Sequence, residues 1–202
     1  LVSKQARNLI IAIVAGLAAG VVMNPFYING TPLLLYFIQF NALVYRGWVP
    51  SLITSLVVAP PSSQGVLDVF FNAISVYFVD GLLSVVYTSK QYYATFIATG
   101  VFGNLISLLN GSTVASFGAS GGIFGLVAGA VSFDYAFNRR VNNFLLLWFL
   151  FIFIYSSFAA SDIDWLAHAG GSLLGLAIGF VLGSQRRKQY IYGTVYRRYT
   201  YP

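Results

Sequence analysis

Six apolar runs, 9–27, 66–86, 92–109, 119–137, 144–158 and 166–183, make up more than half of this chain, and few charges interrupt them. A helix needs roughly 20 predominantly apolar residues to cross a bilayer. The runs therefore predict an all-α membrane protein, a bundle of six transmembrane helices. Charged residues are 8% of the 202, and mean hydropathy is +0.77, against about 25% charged in an ordinary soluble domain. Those values exclude a soluble globular protein and a disordered chain. With short loops there is no room for an appended soluble domain. A single domain over 1–202 is expected, with a basic, tyrosine-rich tail at about 185–202 resting on anionic headgroups. The first run follows basic residues and is about 18 residues long, longer than the ~7–15 of a signal-peptide core, so it reads as an uncleaved span.

Charge sets the expected orientation. With the N-terminus inside, Lys4, Arg7, Lys90, Arg139, Arg140, Arg186, Arg187, Lys188, Arg197 and Arg198 are all cytoplasmic, and only Arg46 is outside. Basic residues collect in cytoplasmic loops, so both termini are placed in the cytoplasm. The same rule accounts for the net charge of +6 without a nucleic-acid partner. The tripeptides Asn29-Gly30-Thr31 and Asn110-Gly111-Ser112 then both fall outside.

The segment between the first two runs is unusual. It holds five of the six prolines: Pro25, Pro32, Pro50, Pro60 and Pro61. Its apolar stretches, 33–45 and 48–59, are too short to cross. Irregular backbone at membrane depth is tolerated only where protein or water covers it, so a loop embedded against the bundle in the outer leaflet is expected.

Chemistry is restricted to few residues. The chain has no cysteine, no glutamate and one histidine, which excludes thiol catalysis, Fe–S clusters and a multi-histidine metal site. Ionisable groups within a span are functional candidates. His168 opens the last run, followed by glycines four apart at 171, 175, 179 and 183. Ser120 opens the fourth run within Gly118-Ala119-Ser120-Gly121, followed by Gly125 and Gly129. Such stripes let two helices touch. In the first turn of a helix, free N–H groups and the dipole favour a nearby negative charge, which a serine nucleophile exploits.

Ser120 lies 19 residues before Arg139, and His168 lies 18 before Arg186. At ~1.5 Å per residue both stand roughly 27–28 Å above the inner end. Asn72, 18 residues before Lys90, stands at the same level, one turn after Asp68. An asparagine amide is a suitable oxyanion donor. Each of these residues also has a plain structural use: a satisfied buried histidine, a small serine at a helix contact, an interhelical amide bond, an aspartate facing external water.

Taken together, the chain resembles the rhomboid family of intramembrane serine proteases. The Gly-x-Ser-Gly motif matches Gly118 to Gly121, the last-span histidine matches His168 with Gly171 and Gly175, and the embedded loop matches 29–64. The resemblance implies Ser120 as nucleophile and His168 as general base. Asn72 and the Ser120 N–H would bind the oxyanion. It also implies hydrolysis of single-span membrane proteins near the outer bilayer face, with no cofactor and no metal. Phe124 stands where the family usually has a tyrosine that packs on the histidine. Asp68 stands where it usually has a histidine, and Pro50-Ser51 replace a usual Trp-Arg pair before Leu52-Ile53-Thr54. A protonated Asp68 can donate to an oxyanion whereas an ionised one repels it. Relatively better activity at mildly acidic pH than in an Asp68→His variant is therefore expected. Asp162 and Asp164 precede His168 and read as solvated loop charges rather than a third catalytic member. Two other classes compete: a non-catalytic rhomboid-like binder of membrane proteins, and a small transporter. A binder of that kind typically lacks the serine or the histidine. A transporter would want broken helices, and the runs after the first contain no proline.

Overall fold

The computed structural model describes residues 2–158 and 163–200, and at 158 and 193–200 the backbone alone. Asp162 and the last two residues of the tail lie outside the described residues. Helix α1 (Lys4–Met23) begins at Ser3, whose hydroxyl accepts from Ala6 N at 3.2 Å. A two-residue hairpin follows, β1 (Tyr27–Ile28) with β2 (Thr31–Pro32). Its turn is Asn29-Gly30, both left-handed at φ 49° and 77°, the pairing that a tight hairpin prefers.

The loop continues through a 3₁₀ turn at Leu33–Tyr36, strand β3 (Gln39–Phe40) and the short helices α2 (Asn41–Tyr45) and α3 (Ser51–Thr54). Neither 33–45 nor 48–59 forms one continuous helix. Long helices follow: α4 (Ser63–Val86), α5 (Ser89–Ser107), α6 (Ser120–Asn138), α7 (Asn143–Phe158) and α8 (Trp165–Thr200). Ser62 caps α4 by accepting from Gly65 N, and a Thr88–Gln91 capping box opens α5. Between α5 and α6, strand β4 (Ala115–Ser116) pairs antiparallel with β3.

Among the described residues, five helices are long and apolar enough to cross a membrane: α1, α4, α5 with its 3₁₀ extension to Asn110, α6, and α8 as far as Tyr192. The sixth expected crossing, 144–158, is α7, a helix of 16 residues. At about 24 Å it is shorter than a ~30 Å hydrocarbon core. The last run does not end at Gly183 as expected: α8 continues through the tail to Thr200.

Helix α6 lies at the centre, against α4, α5, α7 and α8. Every residue from Gly121 to Val131 is buried, as expected of a helix apolar on all faces. Its closest neighbour is α8. A methyl group at Gly171, Gly175 or Gly179 would run into the carbonyl oxygen of Gly121, Gly125 or Gly129 respectively. The two backbones therefore touch without intervening side chains. At the far end, Arg187 Nη1 donates to Phe137 O at 2.9 Å, and Arg186 Nη1 donates to Val85 O at 3.2 Å while lying over the Phe133 ring. Both cations thus meet terminal carbonyls of α6 and α4, where the helix dipole favours them.

The embedded loop is held by buried amides. Gln39, Asn41, Ser51, Ser55, Asn104 and Ser107 are all buried. Asn104 Nδ2 donates to Leu52 O at 2.7 Å and to Ser55 Oγ at 2.9 Å. Gln39 Nε2 donates to Asn104 O at 2.9 Å, and Asn41 Nδ2 donates to Gly111 O at 2.8 Å. These bonds satisfy loop and helix-end carbonyls that would otherwise be buried unpaired, at about 1–3 kcal/mol each.

A further ionisable residue sits inside α4. Asp80 is buried and accepts from Ser3 N at 2.6 Å and from Ser3 Oγ at 2.5 Å, fixing the start of α1.

Candidate active site

Ser120 is the first residue of α6, and the first α-helical bond there is from Ile123 N to Ala119 O at 3.0 Å. The N–H groups of Ser120, Gly121 and Gly122 precede that bond and so have no partner within the helix. Gly118 shapes the approach. Its φ of +118° is a conformation that L side chains rarely adopt. Its N–H donates to Ser55 O at 2.9 Å, so the embedded loop holds the turn that presents the serine.

His168 lies in the first turn of α8. Its ring is buried, with Nε2 2.8 Å from Ser120 Oγ. The α6–α8 backbone contact brings the two together: Gly121 and Gly171 meet directly below them. Phe124, one turn after Ser120, packs on the imidazole with ring centroids 4.6 Å apart. Phe149 and Phe153 of α7 pack edge-on against Phe124 in turn. Ser172 Oγ donates to the His168 carbonyl at 2.7 Å.

Asp68 is half-buried rather than open to water. Buried Asn72 lies one turn further along the same face of α4. A Cβ placed on Gly118 would lie 2.7 Å from both carboxyl oxygens of Asp68. Asp68 is therefore packed on the turn two residues before Ser120. Asp164 differs from its expected role as a solvated loop charge. It accepts from Ser107 Oγ, from Asn110 Nδ2 at 2.9 Å and from Ala167 N at 3.1 Å, so it caps α8 and ties that helix to the end of α5.

Sequence reasoning missed one residue of this cluster. Ser157, on α7, is buried with Oγ 3.0 Å from His168 Nδ1. Its signal was a Ser156-Ser157 pair ending an otherwise apolar run, eleven residues before the histidine. The contact also fixes how α7 runs: from the far end of α6 back to the end that carries Ser120.

A family model described as Rhomboid domain matches residues 48–185, about two thirds of the chain. The chain belongs to the rhomboid family. Rhomboid membership, with several long apolar helices, makes it a multi-pass integral membrane protein. It is a rhomboid-type intramembrane protease or a rhomboid-like protein that acts on membrane proteins within the bilayer. The match includes Gly118, Ser120, His168, Asn72 and Ser157, and it leaves α1 and the first part of the embedded loop outside. Comparison with curated proteins finds no match.

Proposed function

We propose that this rhomboid protein is a serine endopeptidase that cuts single-span membrane proteins near the extracytoplasmic face, using Ser120 as nucleophile and His168 as general base. The observation that carries the reading is the 2.8 Å contact of Ser120 Oγ with His168 Nε2, at the mouth of two helices in backbone contact. A serine and its base need about this separation.

The reaction follows from the groups present. Ser120 Oγ attacks the scissile carbonyl as its proton passes to His168 Nε2. The C=O π pair moves onto oxygen, where the Ser120 N–H and the Asn72 amide stabilise the oxyanion. The imidazolium then protonates the departing amine as the C–N bond breaks. Water, deprotonated by the same nitrogen, releases the acyl group from Ser120. Hydrogen-bonded helix hides its carbonyls, so substrates with helix-weakening small or polar residues near the cut are favoured. The chemistry requires no metal and no cofactor.

The same reading treats 1–202 as one domain, with α7 as a sixth, short crossing and both termini cytoplasmic, as the distribution of basic residues supports. A labelled fluorophosphonate tests the function. Wild-type protein should take the label, and the Ser120→Ala and His168→Ala variants should not. Equal labelling of all three, or none, would instead support a binder without hydrolytic chemistry.

A further inference from the structure

The second ring nitrogen of His168 has a partner that the proposed dyad does not use. We infer that Ser157 is the positioning residue of the base: its hydroxyl oxygen accepts the Nδ1 proton and holds His168 in the tautomer whose Nε2 lone pair faces Ser120. The inference rests on the dyad proposed above and adds the group that keeps it in working form.

A neutral imidazole carries one proton, on one nitrogen or the other. Only the Nδ1–H form can take the Ser120 proton at Nε2. The other form would donate to Ser120 Oγ and block the base. Ser157 Oγ stands 3.0 Å from Nδ1, and both residues are buried. Among the described residues the Ser157 hydroxyl makes no other hydrogen bond, so its lone pairs are open to Nδ1–H.

The contact also strengthens during reaction. Once Nε2 has taken the proton, the ring is cationic and the Nδ1–H bond becomes charge-assisted. It is therefore worth more in the transition state than in the resting protein. A hydroxyl does this without adding a second charge to the apolar interior. Asp164 does not compete for the ring, since its oxygens are engaged by Ser107, Asn110 and the N-terminus of α8.

The chain has one histidine, so isotope-labelled histidine places every imidazole nitrogen signal at this site. Nitrogen NMR of the purified protein reads which ring nitrogen carries the proton. Wild type and Ser157→Thr should show Nδ1 protonated, and Ser157→Val, matched to threonine in shape, should shift toward Nε2–H. Leaving Nδ1–H without an acceptor should slow fluorophosphonate labelling and kcat on a transmembrane substrate by roughly tenfold to a hundredfold. KM should be unchanged, and Ser157→Thr should recover most of the rate. A Ser157→Val variant that keeps the wild-type tautomer, or that matches Ser157→Thr in rate, overturns the inference. A wild type that takes no label overturns the hydrolase reading instead, while the nitrogen spectra still decide for or against the Ser157 contact.

Discussion

Phe124 lies against the face of His168 with its ring tilted 44° to the imidazole, and it is itself wedged by Phe149 and Phe153. The aromatic group restrains rotation of the base without bonding to it. Truncation to Phe124→Ala should cost about 3–5 kcal/mol of stability and slow fluorophosphonate labelling at least tenfold. Phe124→Tyr should keep both near wild type, because the ring and its neighbours remain. Thermal unfolding in detergent and labelling rates, measured together, check this.

Asn104 joins α5 to the embedded loop through Leu52 O and Ser55 Oγ. Ser55 in turn accepts from Gly118 N, two residues before Ser120. Asn104→Ala should orphan these loop groups at about 1–3 kcal/mol each. Limited proteolysis should show faster cleavage within 39–57, and labelling should slow because the Gly118 turn loses its support. Unchanged cleavage would mean that the loop is held by its apolar contacts instead.

Gly175 meets Gly125 at the centre of the α6–α8 contact. A Gly175→Val substitution forces two backbones apart, and overpacking of this kind costs typically ~1–3 kcal/mol. The melting temperature should fall. Labelling should fall further than for a lipid-facing control such as Leu173→Val, where the side chain is exposed.

Asp68 packs on Gly118, one turn before Asn72 on α4. If its protonated form donates toward the reacting carbonyl, lowering the pH supplies the competent form. The wild type should then retain relatively more activity at mildly acidic pH than Asp68→His does. Superimposable pH–rate profiles for the two proteins would remove Asp68 from the chemistry.

What could be read from the residues alone depended on regularity. Helices have a fixed rise, so counting back from Arg139 and Arg186 put Ser120 and His168 at one level, and the structure has them in contact. Glycines four apart marked the faces that meet. The loop offered no such ruler. Its placement comes from the amides of Gln39, Asn41 and Asn104 and from a β3–β4 pairing between segments about 75 residues apart. None of these leaves a local pattern. Ser157 looked like a small residue at a helix end, and its partner lies beyond an intervening turn. Asp80 did carry a signal, a charge inside an apolar run, but its partner Ser3 is 77 positions away.

The main-chain contact of α6 with α8 has a consequence for how such a protein can diverge. The spacing of nucleophile and base is set by peptide against peptide, so it does not depend on which side chains face the lipid. Outward positions such as Leu173 and Phe180 are free to drift with the membrane that surrounds them, while the distance between hydroxyl and imidazole is inherited unchanged.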